Sequence, residues 1–188
     1  KIGAIPNDEI LRKEKDKVKA IILGHCHLDH IGAAPYLGFH YNCPIIGTPY
    51  TLEVLKNILE EHHSSLKKRF KALNYNSSLK ISDNIKIEFV PITHSTLQTV
   101  LVNIQTKYGN IIYANDFKLD NHPTLGQKPN YEKLKKLGEN CLLLIMDSLY
   151  SNVDAKTPSE KVAKEMLKDV LLGVRNEDNA IMVTTFSS

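Results

Sequence analysis

One short segment constrains what this chain can fold into more than any other. Residues 25–30 read HCHLDH, the pattern HxHxDH, and they directly follow residues 18–24, an apolar run that predicts a strand buried on both faces. The segment offers four metal-ligating side chains: His25, His27, Asp29 and His30. Residues two apart in an extended chain point to the same side, so the first two histidines can bind one ion. The last two ligands, at the turn into a helix, can face a second ion about 3.5–4 Å away, and we expect a dinuclear centre.

Four ligands do not complete two sites, and two further candidates follow strands. His94 comes after residues 85–92, a predicted strand in which apolar and polar side chains alternate at first, and Asp116 comes after a predicted hairpin of residues 99–106 and 110–115. Functional groups of α/β sheets are presented at strand ends. We therefore expect His94 to complete the first site and Asp116 to bridge both ions through its two carboxylate oxygens. Imidazole and carboxylate ligands suit zinc and also manganese, so we expect two Zn²⁺ ions, with Mn²⁺ as the alternative.

The rest of the chain alternates apolar runs with helix-patterned segments, which predicts an α/β fold. Residues 51–73 carry apolar side chains at three- and four-residue spacings and predict a long amphipathic helix. Residues 141–146 predict a strand, residues 157–173 a helix and residues 180–186 a final strand. Because 42% of the 188 residues are hydrophobic, the chain can bury a core, which excludes the disordered, collagen-like and disulfide-scaffold classes.

Net charge, hydropathy and cysteine content bear on the protein's partners and cellular compartment rather than on its reaction. A net charge of +3 neither indicates nor excludes a nucleic-acid partner. No apolar run is long enough to span a bilayer, and the chain does not open on a signal-like stretch, so we expect no membrane association. The three cysteines, at positions 26, 43 and 141, lack CxxC spacing. We expect them to be free thiols in a cytoplasmic protein.

Several segments together resemble the motifs of the metallo-β-lactamase superfamily, and more narrowly the archaeal type of the ribonuclease J family in its β-CASP branch. The segments that carry the resemblance are HCHLDH at 25–30, THS at 93–95, NDFKLD at 115–120, PTLG at 123–126, LKKLG at 134–138, TPSE at 157–160 and GAIP at 3–6. The resemblance covers nearly the whole chain. It implies an αββα sandwich, the metallo-β-lactamase fold, running into the start of a β-CASP domain.

Carried over by position, the resemblance assigns roles to individual residues. The ligands of one zinc would be His25, His27 and His94, those of the other Asp29 and His30, and the bridging carboxylate Asp116. The two carboxylates among these, Asp29 and Asp116, would also be the catalytic residues through a metal-bound hydroxide. The residues outside the metal site with an implied role are Asp147, which would hydrogen-bond a ligand histidine, and Ser187 and Ser188, which would contact RNA phosphate. Residues 148–150, Ser-Leu-Tyr, depart from the family pattern.

The function that the resemblance implies is a zinc-dependent ribonuclease of RNA processing and decay. A hydroxide bridging the metals would attack phosphorus in line and leave a 5′ phosphate. Single-stranded RNA would be the substrate, with 5′-to-3′ exonuclease action and an added endonuclease activity. The full-length protein would be a homodimer or a larger homo-oligomer.

The domain boundaries expected from this resemblance leave the chain incomplete. Residues 1–150 would be a metallo-β-lactamase domain without its N-terminal strands, because the 24 residues before the HxHxDH segment cannot supply them. Residues 151–188 would be the first helix and strand of a β-CASP domain. The last metal ligand and the general acid would lie beyond Ser188, so we expect the 188 residues alone to be inactive.

Two alternatives share part of this pattern. Another hydrolase of the same fold, acting on a thioester or a lactam, would use the same ligands, but we would not expect it to continue into a second α/β domain after residue 150. A metal-free β-CASP-like assembly subunit would have lost ligands, whereas all six ligands expected within this range are present. These retained ligands favour the ribonuclease.

Overall fold

Two β-sheets pack face to face between helices in the computed structural model. The structure describes residues 5–59, 61–173 and 181–184, and for residues 61–64 the backbone alone. The first sheet is parallel, in the order β1-β2-β3, with strands β1 (Ile21–Ile22), β2 (Ile45–Gly47) and β3 (Phe70–Ala72). Its helices are α1 (Glu9–Lys13), α2 (Leu28–Ile31), α3 (Ala34–His40) and α4 (Pro49–Ile58), with 3₁₀ segments at Lys15–Lys17 and Glu61–Arg69.

The second sheet has five strands in sequence order. They are β4 (Ser78–Ser82), β5 (Ile85–Pro91), β6 (Val100–Thr106), β7 (Gly109–Ala114) and β8 (Cys141–Met146). Neighbours from β4 to β7 are antiparallel, whereas β7 and β8 are parallel because α5 (Tyr131–Gly138) lies in the connection between them. A final helix, α6 (Glu160–Gly173), follows.

Three apolar clusters make these layers cohere. The cluster between the first sheet and its helices contains Leu23, Cys26, Ile31, Ala34, Ile45, Leu52 and Leu55. The cluster between the sheets contains Ile46, Leu73, Ile87, Phe89, Val100 and Val102. The cluster between the second sheet and α5 contains Val90, Ile92, Leu101, Ile112, Ala114 and Leu137. Side chains of β5 alternate between the second and third clusters, as the period of two in a strand requires. The layer order is therefore helix, sheet, sheet, helix, and the expected αββα sandwich is confirmed.

The predicted strands and helices differ in how well they are confirmed. The helix expected over residues 157–173 forms at Glu160–Gly173, but the strand expected over residues 18–24 forms only at Ile21–Ile22, where the side chains are half-buried. The strands at residues 85–92, 99–106, 110–115 and 141–146 all form, within two residues of the expected bounds. The long helix expected over residues 51–73 is wrong in its second half. That helix ends at Ile58, a 3₁₀ segment follows, and Phe70–Ala72 is a strand because its backbone pairs with β2. Tertiary pairing has overridden a helical apolar spacing there.

The end of the described chain differs from expectation as well. Residues 181–184 form no strand, and the remainder of the strand expected over 180–186 lies outside the described residues. The three cysteines are free thiols, as expected. Within the part of the chain that the structure describes, no helix is both long and apolar enough to cross a membrane.

Candidate metal centre

Three chain segments converge where strands of both sheets end. His25 follows β1 of the first sheet, while His94 and Asp116 follow β5 and β7 of the second. The backbone joins the sheets at this point, because the Val100 N–H at the start of β6 donates to the carbonyl of Gly24 at 2.9 Å. Residues distant in sequence therefore meet at one end of the sandwich.

The loops that carry His94 and Asp116 are also bonded to each other. The Lys118 N–H donates to the Thr93 carbonyl at 2.8 Å, forming an isolated antiparallel bridge. The buried Thr93 hydroxyl donates to the Gln127 carbonyl at 3.1 Å and so fixes the loop that follows Asp116. These bonds fix the loops that carry His94 and Asp116 relative to each other.

The side chains that meet here form a compact ligand set. Within the described residues, one group could hold a metal ion, and its ligand atoms lie within 4.8 Å of one another: His25, His27, His94 and Asp116. The Asp116 Oδ2 atom lies 3.8 Å from His25 Nε2, 3.5 Å from His94 Nε2 and 3.5 Å from His30 Nε2. One oxygen of this carboxylate thus lies near histidines of both expected metal sites. Bridging of two ions through both carboxylate oxygens stays a prediction.

The surroundings of the cluster keep two of its imidazoles, those of His25 and His94, in the neutral form that can bind a metal. Burial, followed by the neighbouring imidazoles of His30, His94 and His27, lowers the pKa of His25 to about 3. Burial and the His27 ring also lower the pKa of His94, although the Asp116 carboxylate opposes that shift. A neutral imidazole is the form that binds a metal, so protons do not compete for these two ligands near neutral pH.

The surroundings of one atom, Nε2 of His25, show whether these residues fit a metal ion. His25 Nε2 is fully buried, faces the cluster and has no hydrogen-bond partner among the residues that the structure describes. A buried polar atom without a partner costs about 1–3 kcal/mol, and a metal bond from its lone pair would remove that cost. Three imidazoles and a carboxylate are also a donor set that zinc accepts. The residues present therefore fit a divalent metal ion.

The remaining expected site residues differ in where they lie. Asp29 sits at the rim, with its side chain 77% exposed and its Oδ2 3.3 Å from His30 Nε2. Asp147 is exposed, and its Oδ1 accepts from the Leu149 N–H at 3.0 Å; among the described residues, no hydrogen bond joins Asp147 to a ligand histidine. Ser187 and Ser188 lie outside the described residues.

Sequence reasoning assigned no role to a neighbour of Asp116 that the structure places in the site. The side chain of Asn115 is buried, and its amide lies 2.9 Å from His25 Nδ1. A single buried amide has no sequence signal of its own. The only feature that could have pointed to Asn115 is its position directly before the expected ligand Asp116. Cys26, between two of the expected ligands, does not join the cluster: its buried thiol belongs to the apolar cluster between the first sheet and its helices and lies 2.9 Å from the Thr96 hydroxyl.

Comparisons with known proteins agree with this geometry. A family model described as the metallo-β-lactamase superfamily matches residues 3–141. The ribonuclease J of Methanocaldococcus jannaschii is 46% identical over 99% of this chain, and that of Pyrococcus abyssi is 43% identical over 100%. The chain spans 42% of the length of each of these curated relatives.

A solved structure extends the comparison to the fold. The structure of a B3 metallo-β-lactamase with an active-site glutamic acid aligns with 90% of this chain and 76% of its own, at a TM-score of 0.51 and 15% identity. At that identity the likeness concerns the fold alone. The resemblance to ribonuclease J in sequence, by contrast, extends over almost every residue described above.

Proposed function

This chain belongs to the metallo-β-lactamase superfamily, and from that premise we propose that the protein is a metal-dependent ribonuclease of RNA processing and decay. The observation that carries the proposal is the cluster of three histidines and one aspartate, whose ligand atoms lie within 4.8 Å of one another. One buried imidazole nitrogen of this cluster has no hydrogen-bond partner in the described part of the chain. Similarity to ribonuclease J over nearly the whole chain supports RNA as the substrate class.

The ligands that we propose fall into two sets joined by one carboxylate. His25, His27 and His94 would hold one ion, and Asp29 and His30 the other, with Asp116 between them. Zinc is the proposed metal because imidazoles dominate the set, and manganese is the alternative. Divalent ions in such a site supply the positive charge that activates water as a nucleophile and neutralises the phosphoryl oxygens.

The chain's own contribution is to place these groups and to admit the substrate from one side. His25 is fully buried and closes the floor of the site, whereas Asp29 is exposed at its rim. A phosphodiester would therefore approach from the side of Asp29. Asp29 and Asp116 are the carboxylates through which the chain would hold and orient the ions, and backbone bonds between the converging loops keep that arrangement fixed before substrate arrives.

Finer aspects of the function follow from the resemblance to ribonuclease J. We propose single-stranded RNA as the substrate, 5′-to-3′ exonuclease action with additional endonuclease activity, and products that carry 5′ phosphates. We also propose that the protein is cytoplasmic, which suits its free thiols. A homodimer or larger homo-oligomer is proposed for the full-length protein.

The domain division is also a proposal. Residues 1–150 would belong to the metallo-β-lactamase domain, which agrees with a family match that ends at residue 141. Residues 151–188 would begin a β-CASP domain. The exposed helix α6 supports that division, because none of its residues is buried.

The test is an assay on the full-length protein purified without chelator. We expect about two zinc or manganese ions per chain by elemental analysis, and cleavage of single-stranded RNA to products with 5′ phosphates. Comparing 5′-monophosphate with 5′-triphosphate RNA, labelled at either end, separates exonuclease from endonuclease action. A metal content well below one ion per chain, or hydrolysis of a thioester or a lactam but not of RNA, would overturn the proposal.

A further inference from the structure

Two buried polar atoms beside the metal cluster lack hydrogen-bond partners within the described ranges of the chain, and they belong to residues that touch each other. They are Nε2 of His25 and Oδ1 of Asn115. The contact between the two side chains joins the amide nitrogen Nδ2 of Asn115 to Nδ1 of His25, at 2.9 Å. With Nδ2 towards the ring, the amide donates, so Nδ1 of a neutral His25 must accept and the imidazole proton must sit on Nε2.

That arrangement conflicts with metal binding by His25. A nitrogen that carries a proton has no lone pair for a metal, and Nε2 is the ring atom that faces the cluster, 3.8 Å from Asp116 Oδ2. Nδ1 is unavailable, because Asn115 occupies it. Either His25 is no ligand, or the amide of Asn115 is turned the other way.

Turning the amide by 180° resolves the conflict without moving a heavy atom appreciably. The oxygen and nitrogen of an asparagine amide are nearly identical in shape, so their assignment has to follow from the hydrogen bonds they make. With Oδ1 towards His25, the Nδ1–H donates to it, and Nε2 keeps its lone pair. The pair still makes one hydrogen bond, but the proton now sits on the nitrogen remote from the cluster.

The absence of a side chain at Gly24 leaves space for the Asn115 amide to contact His25. Gly24 lies directly under the amide: a Cβ atom at position 24 would be 2.1 Å from Asn115 Nδ2 and 2.9 Å from its Cγ. A Cβ atom this close would force the amide out of its present position. The residue before the first ligand is therefore one that leaves space for Asn115, and its carbonyl at the same time accepts the bond from Val100 that joins the sheets.

We propose that Asn115 is a positioning residue of the metal centre, whose amide oxygen accepts from His25 Nδ1–H and so holds the ring with Nε2 towards the ion. Partners of this kind fix the tautomer and the orientation of ligating histidines, and removing them costs about 10–100-fold in metal affinity. The inference rests on the proposed metal centre for its consequence, but the tautomer of His25 can be measured without metal.

The experiment compares Asn115→Asp with Asn115→Leu in the full chain. Both variants keep the approximate size of the side chain, but the carboxylate of Asn115→Asp can only accept a hydrogen bond and leucine can do neither. Zinc affinity is measured by competition with a chromophoric chelator, and melting of the metal-free chain reports on the fold. We expect Asn115→Leu to bind zinc about 10–100-fold more weakly and Asn115→Asp to bind as tightly as the wild type or more tightly. Gly24→Ala should weaken zinc binding in the same direction as Asn115→Leu.

Imidazole ¹H–¹⁵N spectra of the metal-free wild type give the second measurement. We expect the proton of His25 on Nδ1; a proton on Nε2 would overturn the inference. So would an Asn115→Asp variant that folds but loses as much affinity as Asn115→Leu, since an amide that donates cannot be replaced by a carboxylate. If the wild type binds no zinc, the proposed function fails, while the position of the His25 proton still decides the role of Asn115.

Discussion

At the scale of single residues, Asp116 has a position that no other described carboxylate shares. Its Oδ2 lies within 3.8 Å of the Nε2 atoms of His25, His30 and His94. We predict that Asp116→Asn in the full-length protein lowers RNA cleavage by at least about 10³-fold, because an amide carries no charge to hold two cations and several kcal/mol of charge stabilisation would be lost. Single-turnover cleavage and metal content per chain measure the effect together.

The matched control for that substitution is Asp154→Asn, which removes the charge of an exposed aspartate outside the cluster. It should leave cleavage and metal content unchanged. Asp116→Asn should melt, in its metal-free form, close to the metal-free wild type. Full cleavage activity in Asp116→Asn would exclude a bridging role for this carboxylate.

Some residues of the site could be predicted from the sequence, and others could not. His25, His27, His94 and Asp116 could be predicted because imidazoles and carboxylates at strand ends have few structural uses in that pattern. Asp147 also follows a strand, but the direction in which its side chain points depends on the turn after the strand, where the Leu149 N–H captures it. A strand end therefore places a residue near a site without aiming its side chain.

At the scale of elements, the first turn of α6 is held by a residue 40 positions earlier. Asp120 Oδ2 accepts from the Glu160 N–H at 2.7 Å, and its Oδ1 accepts from the Ser159 hydroxyl at 2.7 Å and the His122 N–H at 2.9 Å. Burial alone would raise the pKa of Asp120, but these hydrogen bonds and Lys118 outweigh it and lower the pKa to about 2. Asp120 is thus a helix cap supplied from outside the helix.

This cap predicts a specific dependence on pH. Because the pKa of Asp120 in the folded chain lies below the ordinary 3.8, its stabilisation is fully present above about pH 4 and is lost as the pH falls through about 2. Asp120→Asn should lower the free energy of unfolding by about 1.5–3 kcal/mol at pH 7, and the difference from wild type should shrink below pH 4. Urea unfolding at pH 7, 5 and 3, followed by circular dichroism, measures both.

Asp83→Asn is the control for Asp120→Asn, since Asp83 is 93% exposed and forms an ion pair with the surface residue Lys80. Its effect should stay within about 0.5 kcal/mol at every pH. If the two substitutions gave equal losses, or if the loss at Asp120 stayed constant down to pH 3, the capping role would be rejected.

Arg69, at the end of the 3₁₀ segment, stabilises the C-terminal end of α3 and the residues that follow it. Its guanidinium donates to the carbonyls of Gly38 and Tyr41, and to that of Cys43 at 3.4 Å. Carbonyls in the last turn of α3 have no partner within the helix, so Arg69 satisfies groups that would otherwise be unpaired. Arg69→Met should keep the aliphatic stem and lose about 1.5–3 kcal/mol of unfolding free energy, measured by chemical denaturation.

Lys67→Met tests whether that loss comes only from removing a positive charge from the 3₁₀ segment. Lys67 is exposed, so this substitution should change stability by less than about 0.5 kcal/mol. A loss at Lys67 equal to that at Arg69 would show that the carbonyl contacts contribute little.

The same region explains why the helix prediction failed there while the strands were predicted well. Strands β5 to β8 alternate or run apolar over six or seven residues, and each is visible from its own sequence. Phe70–Ala72 is three residues long and becomes a strand through its pairing with β2. Local periodicity cannot show a pairing with a strand more than 20 residues earlier in the chain.

At the scale of the whole molecule, the candidate metal centre lies where the two sheets meet. His25 belongs to the segment after the first sheet's β1, whereas His94 and Asp116 belong to the second sheet's loops. The sheets are otherwise joined by the apolar cluster around Ile46 and Phe89, both fully buried. A bound ion would thus cross-link the two halves of the sandwich in addition to serving catalysis.

Metal removal should therefore lower the stability of the entire fold rather than loosen one loop. At free zinc about 100 times the dissociation constant, binding stabilises the folded chain by about 2.7 kcal/mol, which for a chain of this size corresponds to roughly 5–11 °C in melting temperature. We expect calorimetry to show a single transition that shifts down by this amount in chelator and returns on adding zinc. Asp116→Asn should show a clearly smaller shift, because it retains only part of the ligand set. If chelator left the wild-type transition in place while metal analysis confirmed that the ions were gone, the centre would not couple the sheets, and the ions would act on the reaction alone.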